Sequence, residues 1–439
     1  MKKTLTFSQR FLVGLTLFGM FFGAGNLIFP VHLGQLAGQN VWAAALGFIV
    51  TGVTVPVLAV AGIGLTHSRG LQDLCEKKVG RGFAPVFTCL LYLTIGPFFA
   101  IPRCCTTTFS TGISPLLPGA GRWASVLFSL LFFAAVLFLS LRPGEIMRWV
   151  GKIIAPAFLL FFCLLLAAAL MNPGAPASAV APDPAYESGA LFSGMLEGYN
   201  TMDAIAGLAF GIIVVGCIRS FGIEDDGTVA AEILKSGIVT AVLMGAIYLA
   251  STLMGAQSRG LFEISENGGI ALAQIAGHYL GKAGMAVLAI TITLACLKTA
   301  IGLVTACAET FVKMFPRSMG YTGWAVLFTA FSFGVSNVGL TALINYSLPV
   351  LMLIYPPTIV LILLSLLGEK AGLGKSAFRW ALAGAVFAAF FDFLRTLPFG
   401  LDVSWAAGFL PFYSIGMSWV VPSLLGLLIG LVAEKRKQG

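Results

Sequence analysis

Charged side chains are scarce in this sequence, since Asp, Glu, Lys and Arg together make up 10% of its 439 residues. Its three histidines, at positions 32, 67 and 278, are scattered, and its eight cysteines include no CxxC pair. This pattern argues against a metal centre and against a disulfide framework. The sequence also lacks the HExxH and GxSxG motifs of common hydrolases. We therefore expect neither an enzyme nor a protein with a bound cofactor.

Apolar residues take the place of the missing charge, at 58% of the chain and a mean hydropathy of +0.95. Such values are typical of a membrane protein. We predict twelve membrane spans, numbered in chain order, at about 9–35, 41–66, 83–109, 122–140, 147–171, 190–218, 230–254, 283–312, 322–337, 340–367, 377–396 and 411–433. The segment 267–281 is shorter and predicts a helix outside the membrane. We expect the first run to be a span, not a cleaved signal peptide, because it is too long and further spans follow.

Lysine and arginine fall mostly in alternate loops between these spans. One set of loops and ends holds Lys2, Lys3, Arg10, Arg69, Lys77, Lys78, Arg81, Arg142, Arg148, Lys152, Arg219, Lys235, Lys313, Arg317, Lys370, Lys375, Arg379, Lys435, Arg436 and Lys437. The opposite set holds Arg122, Arg259, Lys282 and Arg395. The positive-inside rule then places both termini in the cytoplasm. It also accounts for the net charge of +8 without a nucleic-acid partner.

The stretch GAGNLIFP at 23–30 interrupts the first span near its middle. Glycine weakens a helix, and irregular backbone at membrane depth is tolerated only where protein or a water-filled cavity surrounds it. A helix broken here would offer amide N–H groups to a carboxylate and carbonyls to a sodium ion or an ammonium group. The alternative is that Gly19 and Gly23, four residues apart, serve only helix packing.

Span six carries a second interruption, EGYNTMDAIAG at 197–207, after the Lys- and Arg-free stretch 172–190. Two interrupted helices in corresponding places of two halves are typical of the binding site of a secondary transporter. Asp203 lies within this interruption, although inserting an acid into a membrane costs about 2.5–3.5 kcal/mol. It either holds a substrate ammonium or a coupling cation, or it caps the second half-helix.

Three further polar side chains lie within predicted spans. Arg103 follows two prolines that we expect to kink span three, and it is either an external gate that pairs with an acid or an interfacial anchor. Thr299 either offers its hydroxyl to a sodium ion or bonds back to its own helix. Lys298 either replaces a sodium ion, pairs with Asp203 or Glu309, or snorkels toward water.

Five stretches together resemble a known family over essentially the whole chain: GAGNLIFP (23–30), IGPFFAIPR (95–103), EGYNTMDAIAGLAFGIIV (197–214), ACLKTAIGL (295–303) and YSLPVLMLIYPP (346–357). They are similar to the bacterial branched-chain amino acid:cation symporters, the BrnQ-type carriers. The resemblance implies an all-α integral membrane protein of about 12 transmembrane helices. Its fold would be that of sodium-coupled amino acid transporters, a five-plus-five inverted repeat with broken helices 1 and 6.

The resemblance also implies how the chain is organised and what it does. Residues 1–439 would form a single transport domain, with repeat one at about 9–171, repeat two at 190–367 and spans eleven and twelve at 377–433. It would import leucine, isoleucine and valine by sodium symport through alternating access, in the bacterial cytoplasmic (inner) membrane. Proton-coupled or exchange transport is the alternative. The expected partners are the amino acid and the lipid bilayer, with no nucleic acid and no obligatory protein partner. A channel is disfavoured because no filter motif is present.

Site residues follow from the resemblance position by position. The substrate carboxylate would meet the amides of Gly23, Ala24, Gly25 and Asn26. The substrate ammonium would meet the unwound segment that contains Tyr199, Thr201, Met202 and Asp203. One sodium ion would bind Asn26 and Thr201, and a second would bind Gly19, Phe22, Ala295 and Thr299. Lys298 falls where related carriers place a hydroxyl, which keeps proton coupling open, so Lys298 and Arg103 are candidates for coupling or gating.

Overall fold

The computed structural model describes residues 4–117, 119, 121–141, 155–398 and 401–438, with the backbone alone for 155–158, 369–370 and 437–438. Within them the chain is all-α, as predicted. Its main helices are α1 (Phe7–Phe21), α2 (Ala24–Ala37), α3 (Val41–Ile49), α4 (Val55–Leu65), α5 (Leu71–Lys78), α6 (Phe83–Leu93), α7 (Ala100–Thr108), α8 (Arg122–Ser140), α9 (Ala155–Met171), α10 (Ala190–Tyr199), α11 (Asp203–Ser220), α12 (Asp226–Ser258), α13 (Gly268–Met314), α14 (Tyr321–Ser336), α15 (Leu340–Ala371), α16 (Lys375–Thr396) and α17 (Val420–Gln438).

Every predicted span contains a described helix. By length and composition, 8 helical stretches of the described residues suffice to cross a membrane, and one of them, Ala24–Leu65, joins the second half of span one to span two. Phe7–Phe21 and Leu159–Met171 are shorter apolar helices. The first part of predicted span five, 147–154, lies outside the described residues, and so do Lys2, Lys3, Arg142, Arg148 and Lys152. The side chains of Lys370 and Lys437 are likewise not described.

Both predicted helix breaks are confirmed. The first half of span one ends at Phe21, and the second half begins at Ala24, with Gly23 in an extended conformation (φ −133°, ψ −161°). Span six stops at Tyr199 and resumes at Asp203. Between them Met202 adopts a left-handed conformation (φ 63°), which is uncommon for a residue with a side chain. Each break therefore leaves helix ends inside the bundle.

The packing of the broken helices repeats between the two halves of the chain. Span seven (α12) packs along both halves of span one, α1 and α2. Span two (α3 and α4) packs along both halves of span six, α10 and α11. Exchanging span one with six and span two with seven converts the first set of contacts into the second. A five-plus-five repeat with broken helices 1 and 6 requires this relation.

Glycines bring the backbones together at both of these interfaces. A Cβ atom added to Gly34 in α2 would lie 1.9 Å from the carbonyl oxygen of Thr252 in α12. In the other repeat, a Cβ atom added to Gly47 in α3 would lie 1.9 Å from the carbonyl oxygen of Leu191 in α10. Small residues permit this close approach of membrane helices. The two broken helices are thus fixed to their neighbours by equivalent contacts.

Large apolar side chains are exposed on the outside of the bundle. Leu131 of α8 is 62% exposed, Leu160 of α9 is 65% exposed and Leu367 of α15 is 63% exposed. Soluble proteins rarely present broad apolar surfaces. A surface of this kind suits a lipid bilayer as the surrounding solvent.

The structure corrects two predictions about span ends and kinks. Span twelve does not begin at 411, because Phe412 (φ 63°) and Gly416 (φ 70°) have left-handed backbones and the helix begins at Val420. Span three is broken at Gly96 (φ −96°, ψ −121°), next to the first of its two prolines. The second, Pro102, lies in the first turn of α7 and does not kink it, because a proline is tolerated where its missing N–H is not needed.

The helix predicted at 267–281 is present. It ends at Gly281 (φ 60°), where α13 bends.

Candidate substrate and cation site

The two helix breaks are joined by a direct hydrogen bond between buried side chains. Asn26, in the first turn of α2, donates from Nδ2 to Oδ2 of Asp203 at 2.6 Å. The two residues are 1% and 4% exposed. They are 177 positions apart in sequence, so the fold brings together the two interruptions that the sequence singles out.

Asn26 organises the first break. Its Oδ1 accepts a hydrogen bond from the backbone N–H of Gly23 at 2.9 Å, and its Nδ2 donates to the hydroxyl of Tyr248 as well as to Asp203. Tyr248 comes from α12 and is fully buried. The sequence does not single out Tyr248, because a tyrosine in an apolar span carries no motif that distinguishes a binding residue from a packing residue. These bonds fix the amide of Asn26 between span one, span six and span seven.

Thr201 organises the second break. Its hydroxyl donates to the carbonyl of Gly198 at 2.9 Å and accepts from the backbone N–H of Asp203 at 3.3 Å. The hydroxyl therefore bonds one of the N–H groups at the start of α11, in the manner of a helix cap. The Asp203 carboxylate faces span one instead of capping its own helix. Of the two interpretations of Asp203, the geometry favours the ligand over the cap.

Aromatic rings form an apolar wall beside the second break. The ring of Tyr199 stacks on that of Tyr355 from α15, with centroids 4.2 Å apart and planes inclined by 15°. Tyr199, Tyr355 and Met202 are at most 2% exposed. Tyr355 is a second residue that the sequence did not identify, although it lies in one of the stretches that carry the family resemblance. Offset ring pairs of this kind add about 0.5–1.5 kcal/mol beyond their buried area.

Arg103 lies at the site, not at a membrane interface. It is 4% exposed, and its Nη1 donates to the carbonyl of Asn200 at 2.6 Å, within the unwound segment of span six. Burial therefore excludes the interfacial anchor. Within the described residues no ion pair joins Arg103 to an acid, so the predicted pairing of a gate is not observed either. The positive charge is instead hydrogen-bonded to a carbonyl of the broken helix.

Thr299 lies beside the first break. A Cβ atom added to Gly23 would be 3.6 Å from its hydroxyl oxygen, which also donates to the carbonyl of Ala295 at 3.1 Å. The back-bond to its own helix is present, and the Thr299 methyl carbon lies at a similar distance, 3.5 Å, from the same Cβ position. The side chain as a whole therefore borders the break, and its hydroxyl oxygen keeps a lone pair for a cation. A Cβ atom added to Gly19 would meet nothing within 4 Å, which disfavours close packing as the reason for that glycine. Roles for Gly19 and Phe22 as cation ligands remain predictions.

Lys298 is half-buried in α13. Within the part of the chain that the structure describes, it makes no ion pair with Asp203 or with Glu309, so the pairing that was one of its three alternatives is not observed. Its sequence neighbour Thr299, on another side of the helix, is the one that faces Gly23. The geometry therefore does not support a position of the Lys298 ammonium at the break.

The site as a whole carries one carboxylate, one guanidinium, the N-terminal end of one helix and the C-terminal end of another. The start of α2 presents backbone N–H groups, and the end of α10 presents carbonyls. The positive end of a helix dipole favours an anion, and the opposite end favours a cation. Such a set of groups is suited to a small molecule with a negative and a positive end.

Comparison with known proteins agrees with this chemistry. A family model described as "Branched-chain amino acid transport protein" matches residues 7–437. The chain is 49% identical to the branched-chain amino acid permease BrnQ of Lactobacillus delbrueckii subsp. lactis, over 99% of this chain and 100% of that protein. It is 40% identical to the permease of the same name from Bacillus subtilis (strain 168), over 98% of each.

The fold is also similar to a solved transporter structure of very different sequence. The inward-facing conformation of Mhp1 matches with a TM-score of 0.61 and 16% identity, over 100% of this chain and 95% of that one. At an identity this low, the match shows a similarity of fold only. The match covers all the spans, including both broken helices.

Proposed function

Since this chain belongs to the family of branched-chain amino acid transport proteins, we propose that it imports leucine, isoleucine and valine by symport with sodium. The relatives named above are permeases for branched-chain amino acids, and the match spans their full length. Transport proceeds by alternating access, in which spans one, two, six and seven rock against the rest of the protein.

One observation carries this proposal: two broken helices meet at a buried Asn26–Asp203 hydrogen bond of 2.6 Å. A bond between the breaks makes them two sides of one site. The start of α2 receives the substrate carboxylate, and Asp203 with the unwound segment of span six receives the ammonium. The stacked rings of Tyr199 and Tyr355 offer an apolar surface for the side chain. An apolar pocket separates methylene homologues by only about 1–3 kcal/mol, so leucine, isoleucine and valine compete.

The coupling sodium ion is a co-substrate in this proposal. The favoured position lies between the first break and α13, where the hydroxyl of Thr299 and the carbonyl of Ala295 lie together. Hard oxygen ligands such as these suit sodium, and carbonyls of unwound helices coordinate it in other carriers. A second position at Asn26 and Thr201 is less favoured, because the side-chain oxygens of both residues already accept hydrogen bonds, from the backbone N–H groups of Gly23 and Asp203.

The protein lies in the bacterial cytoplasmic membrane, with both termini in the cytoplasm and the repeats at about 9–171 and 190–367. Alternate loops separate the basic residues into a rich side and a poor side, as the positive-inside rule requires. Labelling of single cysteines introduced at Arg259 and Arg379 of a cysteine-free variant tests this orientation. A membrane-impermeant reagent applied to whole cells should reach position 259 and not position 379.

Binding of radiolabelled leucine to the purified protein in detergent tests the substrate assignment. Unlabelled isoleucine and valine should displace the label, and lysine and glutamate should not. Asp203→Asn should weaken leucine binding about 100-fold, since one partner of a buried charged contact is lost. Glu309→Gln removes an exposed acid from α13 and is the matched control. Leucine binding that Asp203→Asn leaves unchanged would remove Asp203 from the site, and displacement by lysine would contradict the substrate class.

A further inference from the structure

Arg103 lies inside the site, yet the substrate contacts proposed above do not use it. The residue is 4% exposed, and its Nη1 donates to the carbonyl of Asn200 at 2.6 Å. An arginine has five N–H donors and stays charged in proteins. Among the described residues no protein acceptor is bonded to its Nε or Nη2. A buried charge is costly unless it is paired and hydrogen-bonded, so this guanidinium is suited to an acceptor that arrives with a ligand.

The guanidinium faces the first turn of α2. A Cβ atom added to Gly25 would lie 3.3 Å from Nη2 of Arg103, so the absence of a side chain at this position keeps the approach open. The guanidinium carbon stands 5.1 Å from the ring centroid of Phe29, a cation–π contact that orients its plane. The N–H groups and the positive dipole end of α2 favour an anion at the same place. The Arg103 guanidinium and the N-terminal end of α2 thus both favour an anion beside Gly25.

Asp203 supplies the opposite charge on another side of the site. Its Oδ2 bonds to Asn26, and no ion pair within the described residues joins it to Arg103. The two charges therefore do not form a closed salt bridge that would leave nothing for a ligand. A site with one fixed positive and one fixed negative group is neutral and complements a zwitterion without help from a bound cation.

We propose that Arg103 binds the carboxylate of the amino acid substrate, together with the N–H groups at the start of α2, while Asp203 binds the ammonium. This inference rests on the proposed function and names the residue that selects for the carboxylate. Arginine suits this task because its planar fork matches a carboxylate with two parallel hydrogen bonds. The bond from Nη1 to Asn200 holds the fork in place from the opposite break.

Ligands that lack one end of leucine test the assignment. Leucinamide keeps the ammonium and has no carboxylate, and 4-methylpentanoate keeps the carboxylate and has no ammonium. The wild-type protein should bind leucine far more tightly than either. Arg103→Gln should lower leucine affinity about 100-fold and leave leucinamide affinity within about threefold of the wild type. Asp203→Asn should lower leucine affinity and leave the affinity for 4-methylpentanoate nearly unchanged. The preference for leucine over 4-methylpentanoate should therefore be lost.

Two further variants complete the experiment. Arg395→Gln removes a partly buried arginine of α16 that pairs with Asp392 at 3.5 Å, and it should leave the ratio of leucine to leucinamide affinity unchanged. Arg103→Lys keeps the charge without the fork, and it should lower that ratio at least about tenfold. Arg103→Lys also tests the inference if Arg103→Gln fails to fold.

Three results would overturn the inference or the function behind it. Equal losses for leucine and leucinamide in Arg103→Gln would make Arg103 a structural residue that holds Asn200, and an unchanged ratio in Arg103→Lys would exclude the fork. Either result leaves the proposed function standing. A wild-type protein that binds no leucine would overturn the function and the inference together.

Discussion

Lys298 and Thr299 are neighbours in α13, and the structure separates their roles. The Thr299 side chain borders the break at Gly23, with its hydroxyl oxygen 3.6 Å from the Cβ position of that glycine. Lys298 has no acidic partner within the described residues. From sequence the two could not be told apart, because one residue of rotation on a helix decides which of them faces the site. The geometry favours Thr299 over Lys298 as the candidate cation ligand.

Substitution of Thr299 should therefore change the response to sodium, and substitution of Lys298 should not. Thr299→Val removes the hydroxyl at nearly constant volume, and it should raise the sodium concentration for half-maximal leucine uptake about tenfold or more, since a bond to a charged partner is lost. Lys298→Met should leave that concentration unchanged. A titration of uptake against sodium measures both. Strong sodium dependence gained in Lys298→Met, with no effect of Thr299→Val, would place the lysine at the cation position instead.

At the same scale, the sequence was informative for some site residues and silent for others. Asn26 and Asp203 stand out because a polar side chain in an apolar span is expensive and needs a reason. Tyr248 and Tyr355 do not stand out, because an aromatic ring fits both a core and a site. Arg103 stands out as a charge within a span, but the sequence does not indicate its depth, since its burial depends on where span three breaks.

At the scale of the helix, a glycine marks the first break, a polar run marks the second, and glycines set the contacts between neighbouring helices. The breaks were predictable because Gly23 and the polar run at 197–203 disrupt an apolar helix locally. The start of span twelve was not predictable in the same way, because it depends on the left-handed backbone of Phe412, a residue with no preference for that conformation. Tertiary packing sets such a position, and hydropathy does not report it.

Gly34 offers a test of the helix contacts. Gly34→Ala would place a methyl group 1.9 Å from the Thr252 carbonyl oxygen, so α2 and α12 must move apart at a cost of about 1–3 kcal/mol. The melting temperature of the purified protein should fall. Gly216→Ala in α11 is the control, because its Cβ would meet nothing within 4 Å and alanine favours a helix by about 0.8–1 kcal/mol. An unchanged melting temperature in Gly34→Ala would contradict the close contact.

At the scale of the whole molecule, the two halves share one packing plan with opposite orientation. Span seven holds both parts of span one, and span two holds both parts of span six. No sequence identity between the halves was evident, so this relation rests on the positions of the breaks and on the contacts. A site between two such halves can open to one side at a time, which is what concentrative uptake needs.

Uptake of leucine into proteoliposomes of the purified protein distinguishes sodium symport from proton symport and from exchange. Vesicles would be prepared with an inward sodium gradient, an inward proton gradient, or no gradient, and accumulation of labelled leucine would be followed over time. Sodium symport requires that leucine rises above its external concentration only with the sodium gradient, and we expect Thr299→Val to weaken this response. Accumulation driven by the proton gradient alone, or exchange against internal leucine without any response to sodium, would contradict sodium symport.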